Sequence, residues 1–171
     1  MNIPSKEVTV SPAQRNTMQI VVFRLGDEEY GITIDQIKEV AITPPITRMP
    51  QVPAFIAGVS NIRGNIIAIL DLGEKFGIPL KYSLEQNEKT YTLVIDNPEF
   101  KMGIWVKDVP NTMTISRADI EESFFTGGNT QDQSYITGIV KRDNRLIILI
   151  DIFRVLSSQE TKQYFTKAVA E

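Results

Sequence analysis

Asp71 and Asp151 each close an apolar run, "IIAIL" at 66–70 and "LIILI" at 146–150. A carboxylate at the end of a buried strand is where a general base would stand. Such a base needs a nucleophile, a second acid or a metal beside it. The chain has no histidine and no cysteine, which removes Ser-His-Asp triads, cysteine nucleophiles, disulfides and metal sites built on imidazole or thiolate. It also has neither a D-x-[DN]-x-[DN]-G loop nor a GxxxxGK[ST] loop, the common cradles for calcium and phosphate. In "DLGEKF" Glu74 follows Asp71 by three residues, the spacing of a capping box at a helix start. Asp71, and Asp151 in the matching position, are therefore read as structural caps; no catalytic residue, metal or cofactor is assigned.

Arg63 is the other chemically suggestive residue. In "SNIRGNIIAILDL" (60–72) it precedes Gly64 at the head of the apolar run. Gly64 is expected to supply the unusual backbone conformation of a tight turn and to leave Arg63 without structural duty. The guanidinium is then either a solvated turn residue or a five-donor fork for a partner's carboxylate or carbonyls. Trp105, the single tryptophan, is either a barrel-face residue or a partner anchor.

The elements that position these residues repeat. "FIAGVSNIRGNIIAILDLGEKF" (55–76) aligns without a gap on "YITGIVKRDNRLIILIDIFRVL" (135–156) at an offset of 80 residues. Gly58 meets Gly138 and Asp71 meets Asp151; the glycines are read as sites of close backbone approach or strand bending. Upstream, "EEYGITIDQIKEV" (28–40) matches "FKMGIWVKDVPNT" (100–112) at an offset of 72. Each half opens with a β-branched segment, "MQIVVFRL" and "YTLVI", followed by turn residues. Short strands and frequent turns predict an all-β protein of two small packed barrels with short helices. "IIAIL" and "LIILI" are apolar on both faces, so one face should fill its own barrel and the other meet the partner barrel. The four prolines of "AITPPITRMPQVPAF" mark a stiff connection.

At 171 residues and 42% hydrophobic content the chain can bury a real core. A net charge of −3, with both signs dispersed, offers no basic stripe, so no nucleic-acid partner is expected. No apolar run approaches the roughly 20 residues needed to cross a bilayer, and the start has no apolar signal core. A cytoplasmic location without membrane insertion is expected. Residues 1–17 read as a flexible lead-in and 158–171 as a C-terminal helix or tail.

The segments "LGDEEYGITIDQIKEV", "TPPITRMPQVPAFIAGVSNIRG", "IIAILDLGEKF" and "YITGIVKRDNRLIILID", in that order, resemble the CheW family of bacterial chemotaxis adaptors from about Gln19 to Leu156. The resemblance implies two SH3-like five-stranded barrels within a CheW-like domain at 18–157. The first would cover approximately 18–85 and the second approximately 88–157, with strand exchange between them left open. It implies a non-catalytic adaptor with two partners: the regulatory domain of the histidine kinase CheA, and the cytoplasmic tip of methyl-accepting chemoreceptors. Receptor-binding positions transfer as Ile37, Glu39, Gly58, Arg63 and Val109, with Glu39 and Arg63 paired; Gly64, Asp71 and Asp151 remain structural. The protein would be recruited to membrane-associated receptor arrays. The alternatives are a CheV-type adaptor, which would carry a further receiver domain, a CheA regulatory-domain fragment, and a CheW-like scaffold outside motility.

Overall fold

A computed structural model describes residues 16–78, 88–99, 101–122 and 135–156. The expected C-terminal helix and most of the lead-in lie outside the described residues. The strands are β1 (Thr17–Leu25), β2 (Glu28–Thr33), β3 (Ile37–Ile42), β4 (Ile56–Ile62), β5 (Asn65–Leu70), β6 (Tyr91–Ile95), β7 (Met102–Val106), β8 (Asn111–Ser116), β9 (Ile120–Glu121), β10 (Ile136–Arg142) and β11 (Arg145–Ile150). Two short helices, Leu72–Phe76 and Ile152–Leu156, follow β5 and β11.

The strands form a six-stranded sheet, β8-β1-β2-β11-β10-β9, and a five-stranded sheet, β3-β6-β7-β5-β4. β9 has only two residues and follows β8 across a 3₁₀ turn at Arg117–Asp119. β8 pairs with β1 and β9 with β10, so the two segments act as one bent strand that closes a five-position barrel. After β3 the chain does the same: Thr47 bridges Val59 of β4. The offset of 80 carries Val59 onto Ile139, which pairs with Glu121 of β9.

Each barrel borrows its first hairpin. The six-stranded sheet combines β1 and β2 with β8–β11, whereas the five-stranded sheet combines β6 and β7 with β3–β5. The division into 18–85 and 88–157 therefore separates the two halves of the chain but not the two barrels. The cause is a pair of parallel contacts, β2 with β11 and β5 with β7, which join strands from opposite halves. Tyr30 pairs with Ile148 and Met102 with Ala68, the same contact displaced by the two repeat offsets.

The exchange explains the two-faced apolar runs. Ile67 and Ile69 fill the five-stranded barrel with Ile62, Val94 and Trp105; Ile147 and Leu149 fill the six-stranded barrel with Ile20, Val22, Ile115 and Val140. The alternate residues Leu70 and Ile150 enter a third and larger core with Val21, Phe23, Leu93 and Ile104. Residues 68 and 148 pack against that same core. Burying each such side chain stabilises by about 1.5–3 kcal/mol, so the seam between barrels is the main apolar interior. Four stacked rings, Phe23–Tyr30–Phe76–Tyr135, run through it with centroid separations of 6.1, 5.9 and 5.0 Å.

Candidate functional site

The β4–β5 hairpin turns at Arg63 and Gly64, with φ of 52° and 84°. Arg63 as well as Gly64 is left-handed, so the turn places both residues at positive φ, as two-residue hairpins require. Asn61 Oδ1 accepts from the Gly64 N–H at 2.9 Å and braces the turn. Arg63 Nε lies 3.2 Å from Glu39 Oε1, with the arginine side chain 78% exposed and the glutamate 23%. An exposed pair of this kind adds about 0–1 kcal/mol to stability. Its larger effect is to orient a guanidinium whose other donors meet no partner among the described residues.

Beside the pair is an open depression of about 420 Å³, rimmed by Lys38, Glu39, Arg63, Asp96 and Lys101. Its floor includes Ile62, Ile67 and Val94, which belong to the barrel core. Ile37 is half-buried against the interbarrel core, and a register shift separates it from Glu39 on β3. Val40 and Ile42 follow on the same strand at 46% and 58% exposure, leaving an apolar margin where the seam reaches the surface.

Three of the expected positions, Ile37, Gly58 and Val109, do not line this depression. Gly58 is buried, with φ of 148°, and a Cβ there would overlap the Thr47 carbonyl oxygen. It permits the Thr47–Val59 approach that closes the barrel and presents no surface of its own. Val109 is 61% exposed but does not line the depression. The repeat offset of 72 makes it the counterpart of Ile37.

Trp105 lies in the barrel core, and its Nε1 donates to Thr90 Oγ1 at 2.7 Å. It also lines a second depression, of about 540 Å³, beneath the proline-rich connection. Ser60 Oγ donates toward the carbonyls of Pro44 and Pro45, at 3.2 and 3.1 Å, which holds that connection on the barrel.

Both aspartates point their carboxylates at helix starts. Asp71 Oδ1 accepts from the Glu74 N–H at 3.1 Å, and Asp151 Oδ1 accepts from the Phe153 and Arg154 N–H groups at 3.0 and 3.3 Å. Burial raises the Asp71 pKa above its ordinary 3.8, outweighing the hydrogen bonds from Glu74 and Gly73 that lower it. No group of three or more His, Cys, Asp or Glu among the described residues could hold a metal ion, and no described helix is long and apolar enough to cross a membrane. Sequence reasoning missed Gln36, a buried residue whose Nε2 donates to Asp151 Oδ1 at 2.9 Å. The partners are 115 residues apart, and no local pattern signals such a bond.

Two strand-exchanged barrels thus present a charged pair at a hairpin tip. A CheW-like domain model matches residues 19–160, and the chain belongs to that family of chemotaxis adaptors. It is 33% identical over 156 residues to chemotaxis protein CheW of Klebsiella aerogenes, a match covering 89% of this chain and 90% of the relative. The CheW of Treponema pallidum is 28% identical over 149 residues, 85% of each chain. The crystal structure of the scaffolding protein TtCheW from Thermoanaerobacter tengcongensis superposes with a TM-score of 0.69 at 31% identity, covering 84% of this chain and 90% of that one. The barrels are thus the SH3-like pair of this family.

Proposed function

We propose that the protein is a non-catalytic adaptor that couples chemoreceptors to the histidine kinase CheA, in the cytoplasm at membrane-associated receptor arrays. The observation that carries this reading is the Glu39–Arg63 pair, formed between strand β3 and the β4–β5 turn of one barrel, with the arginine open to solvent. A helical receptor hairpin offers carboxylates for the guanidinium and an apolar stripe for the margin formed by Ile37, Val40 and Ile42. The regulatory domain of the kinase would dock on a different barrel edge, which leaves both partners free to bind at once. Val109 belongs to the receptor surface in this reading, on the wall contributed by the second half; Gly58 supports it from beneath.

The experiment is a co-purification of the full chain with a receptor-tip fragment and the kinase regulatory domain, separately and together. A ternary complex is the expected result. Mutually exclusive binding, or failure to bind either partner, would refute the coupling role.

A further inference from the structure

Three polar side chains are buried among the described residues: Gln36, Ser60 and Thr92. Ser60 holds the proline-rich connection, and Thr92 shares a hydrogen bond with Thr43 at 2.7 Å. Both serve the barrel to which they belong. Gln36 reaches across to the other half of the chain. Its Nε2 donates to Asp151 Oδ1 at 2.9 Å, and its Oε1 accepts from the Ile152 N–H at 3.2 Å. Its main-chain carbonyl accepts from the Asp96 N–H at 2.9 Å. A buried amide with both ends matched has a single favourable position, because any displacement leaves a polar group unpaired.

The location gives this rigidity a consequence. Gln36 ends the 3₁₀ turn Ile34–Gln36, directly before the register shift between Ile37 and Glu39. Where Gln36 is held therefore decides where β3 begins and how Glu39 meets Arg63. Asp96, tied to its carbonyl, rims the same depression as Lys38, Glu39 and Arg63. The other half of the repeat lacks this link: the offset of 72 carries Gln36 onto Asp108, an exposed aspartate rather than a buried amide. The second copy of the repeat forms its barrel without such a latch, so the latch is not a requirement of the repeat's fold. Among the described residues it occurs in the half that carries the charged pair.

We propose that Gln36 is a positioning residue for the Glu39–Arg63 surface, coupling the start of the Ile152–Leu156 helix to strand β3 so that the two move together. The proposal rests on the receptor reading of that surface. Gln36→Met keeps length and apolar bulk while removing both side-chain hydrogen bonds. Asp151→Asn keeps an oxygen that can accept from Gln36.

The test titrates wild type, Gln36→Met, Asp151→Asn, Arg63→Ala and the Gln36→Met/Arg63→Ala double variant against a receptor-tip hairpin fragment and the kinase regulatory domain. Melting curves on the same full-length proteins accompany the titrations. Gln36→Met is expected to weaken receptor binding about tenfold, within the range seen for residues that modulate a site without touching its ligand, and to leave kinase binding unchanged. The loss should vanish in the Arg63→Ala background, and Asp151→Asn should bind the receptor fragment like wild type. An equal loss with and without Arg63, equal losses on both partners, or a lowered melting temperature with unchanged receptor affinity would overturn the proposal. If Gln36→Met does not fold, Gln36→Asn replaces it with the same outcomes. Arg63→Ala binding like wild type would instead refute the receptor reading itself, and that arm carries no change at Gln36.

Discussion

The two hairpin tips, Arg63–Gly64 and Asp143–Asn144, occupy the same place in the repeat but use their side chains differently. Arg63 and Asp143 have nearly the same backbone conformation, with φ of 52° and 53°. At the first tip the guanidinium is largely exposed and, among the described residues, pairs with Glu39 of β3. At the second the arginines are engaged within the barrel: Arg142 Nη1 donates to the Thr114 carbonyl at 2.7 Å, and Arg145 Nη2 lies 2.8 Å from Glu29 Oε2. Backbone and core repeat, while the tip chemistry diverges. Folding and the proposed recognition are therefore expected to be separable at Arg63, and each pair of equivalent positions tests how far that separation extends.

The largest difference is expected at Gly58 and Gly138, where bulges shift the β4–β5 and β10–β11 registers. A Cβ at Gly58 would overlap the Thr47 main chain at a positive φ, whereas one at Gly138 would meet the Ile120 Cγ2 methyl at 2.6 Å. Backbone strain adds to overpacking only in the first case, each term being about 1–3 kcal/mol. Gly58→Ala should therefore destabilise by about 2–4 kcal/mol and Gly138→Ala by clearly less, as read from urea midpoints. Equal losses would show that the two bulges are closed in the same way.

The helix caps come next. Asp151→Ala removes a cap and also leaves the buried Gln36 amide without its acceptor, for a cost of about 2–3 kcal/mol. Asp71→Ala removes a cap alone, about 1 kcal/mol. Because the folded pKa of Asp71 is raised, the folded state holds that proton more tightly than the unfolded one. Stability from this group is then greatest below the ordinary 3.8 and is lost as pH rises through the folded value. Asp71→Asn keeps the capping oxygen and does not titrate, so it should gain on wild type as pH rises through that window. A difference between the two proteins that stays flat with pH would contradict the burial of Asp71.

The smallest effect is expected at the tips. Arg63→Gly and Asp143→Gly relieve left-handed strain but enlarge the freedom of the unfolded chain. Each should change stability by no more than about 0.5 kcal/mol. A loss well above that at position 63 would mean that the Glu39 pair supports the fold.

The sequence disclosed what repeats locally. The unbroken apolar runs "IIAIL" and "LIILI" revealed that β5 and β11 pack on both faces, and the spacing of Asp71 and Glu74 revealed a helix start. Strand exchange was hidden because β2 with β11 and β5 with β7 are parallel contacts between distant segments, which leave no turn signature. Gln36 was hidden for the same reason. The burial of Gly58 depends on what approaches it, the Thr47 carbonyl, and residue type alone does not encode that.

The central claim, that recognition at Arg63 is separable from folding, is tested most directly by Arg63→Glu. The variant and wild type are titrated against a receptor-tip fragment and against the kinase regulatory domain, with melting temperatures taken on the same samples. Stability should stay within about 0.5 kcal/mol of wild type, receptor binding should fall by several kcal/mol as attraction becomes repulsion, and kinase binding should persist. Unchanged receptor affinity, or an equal loss against both partners, would contradict the account.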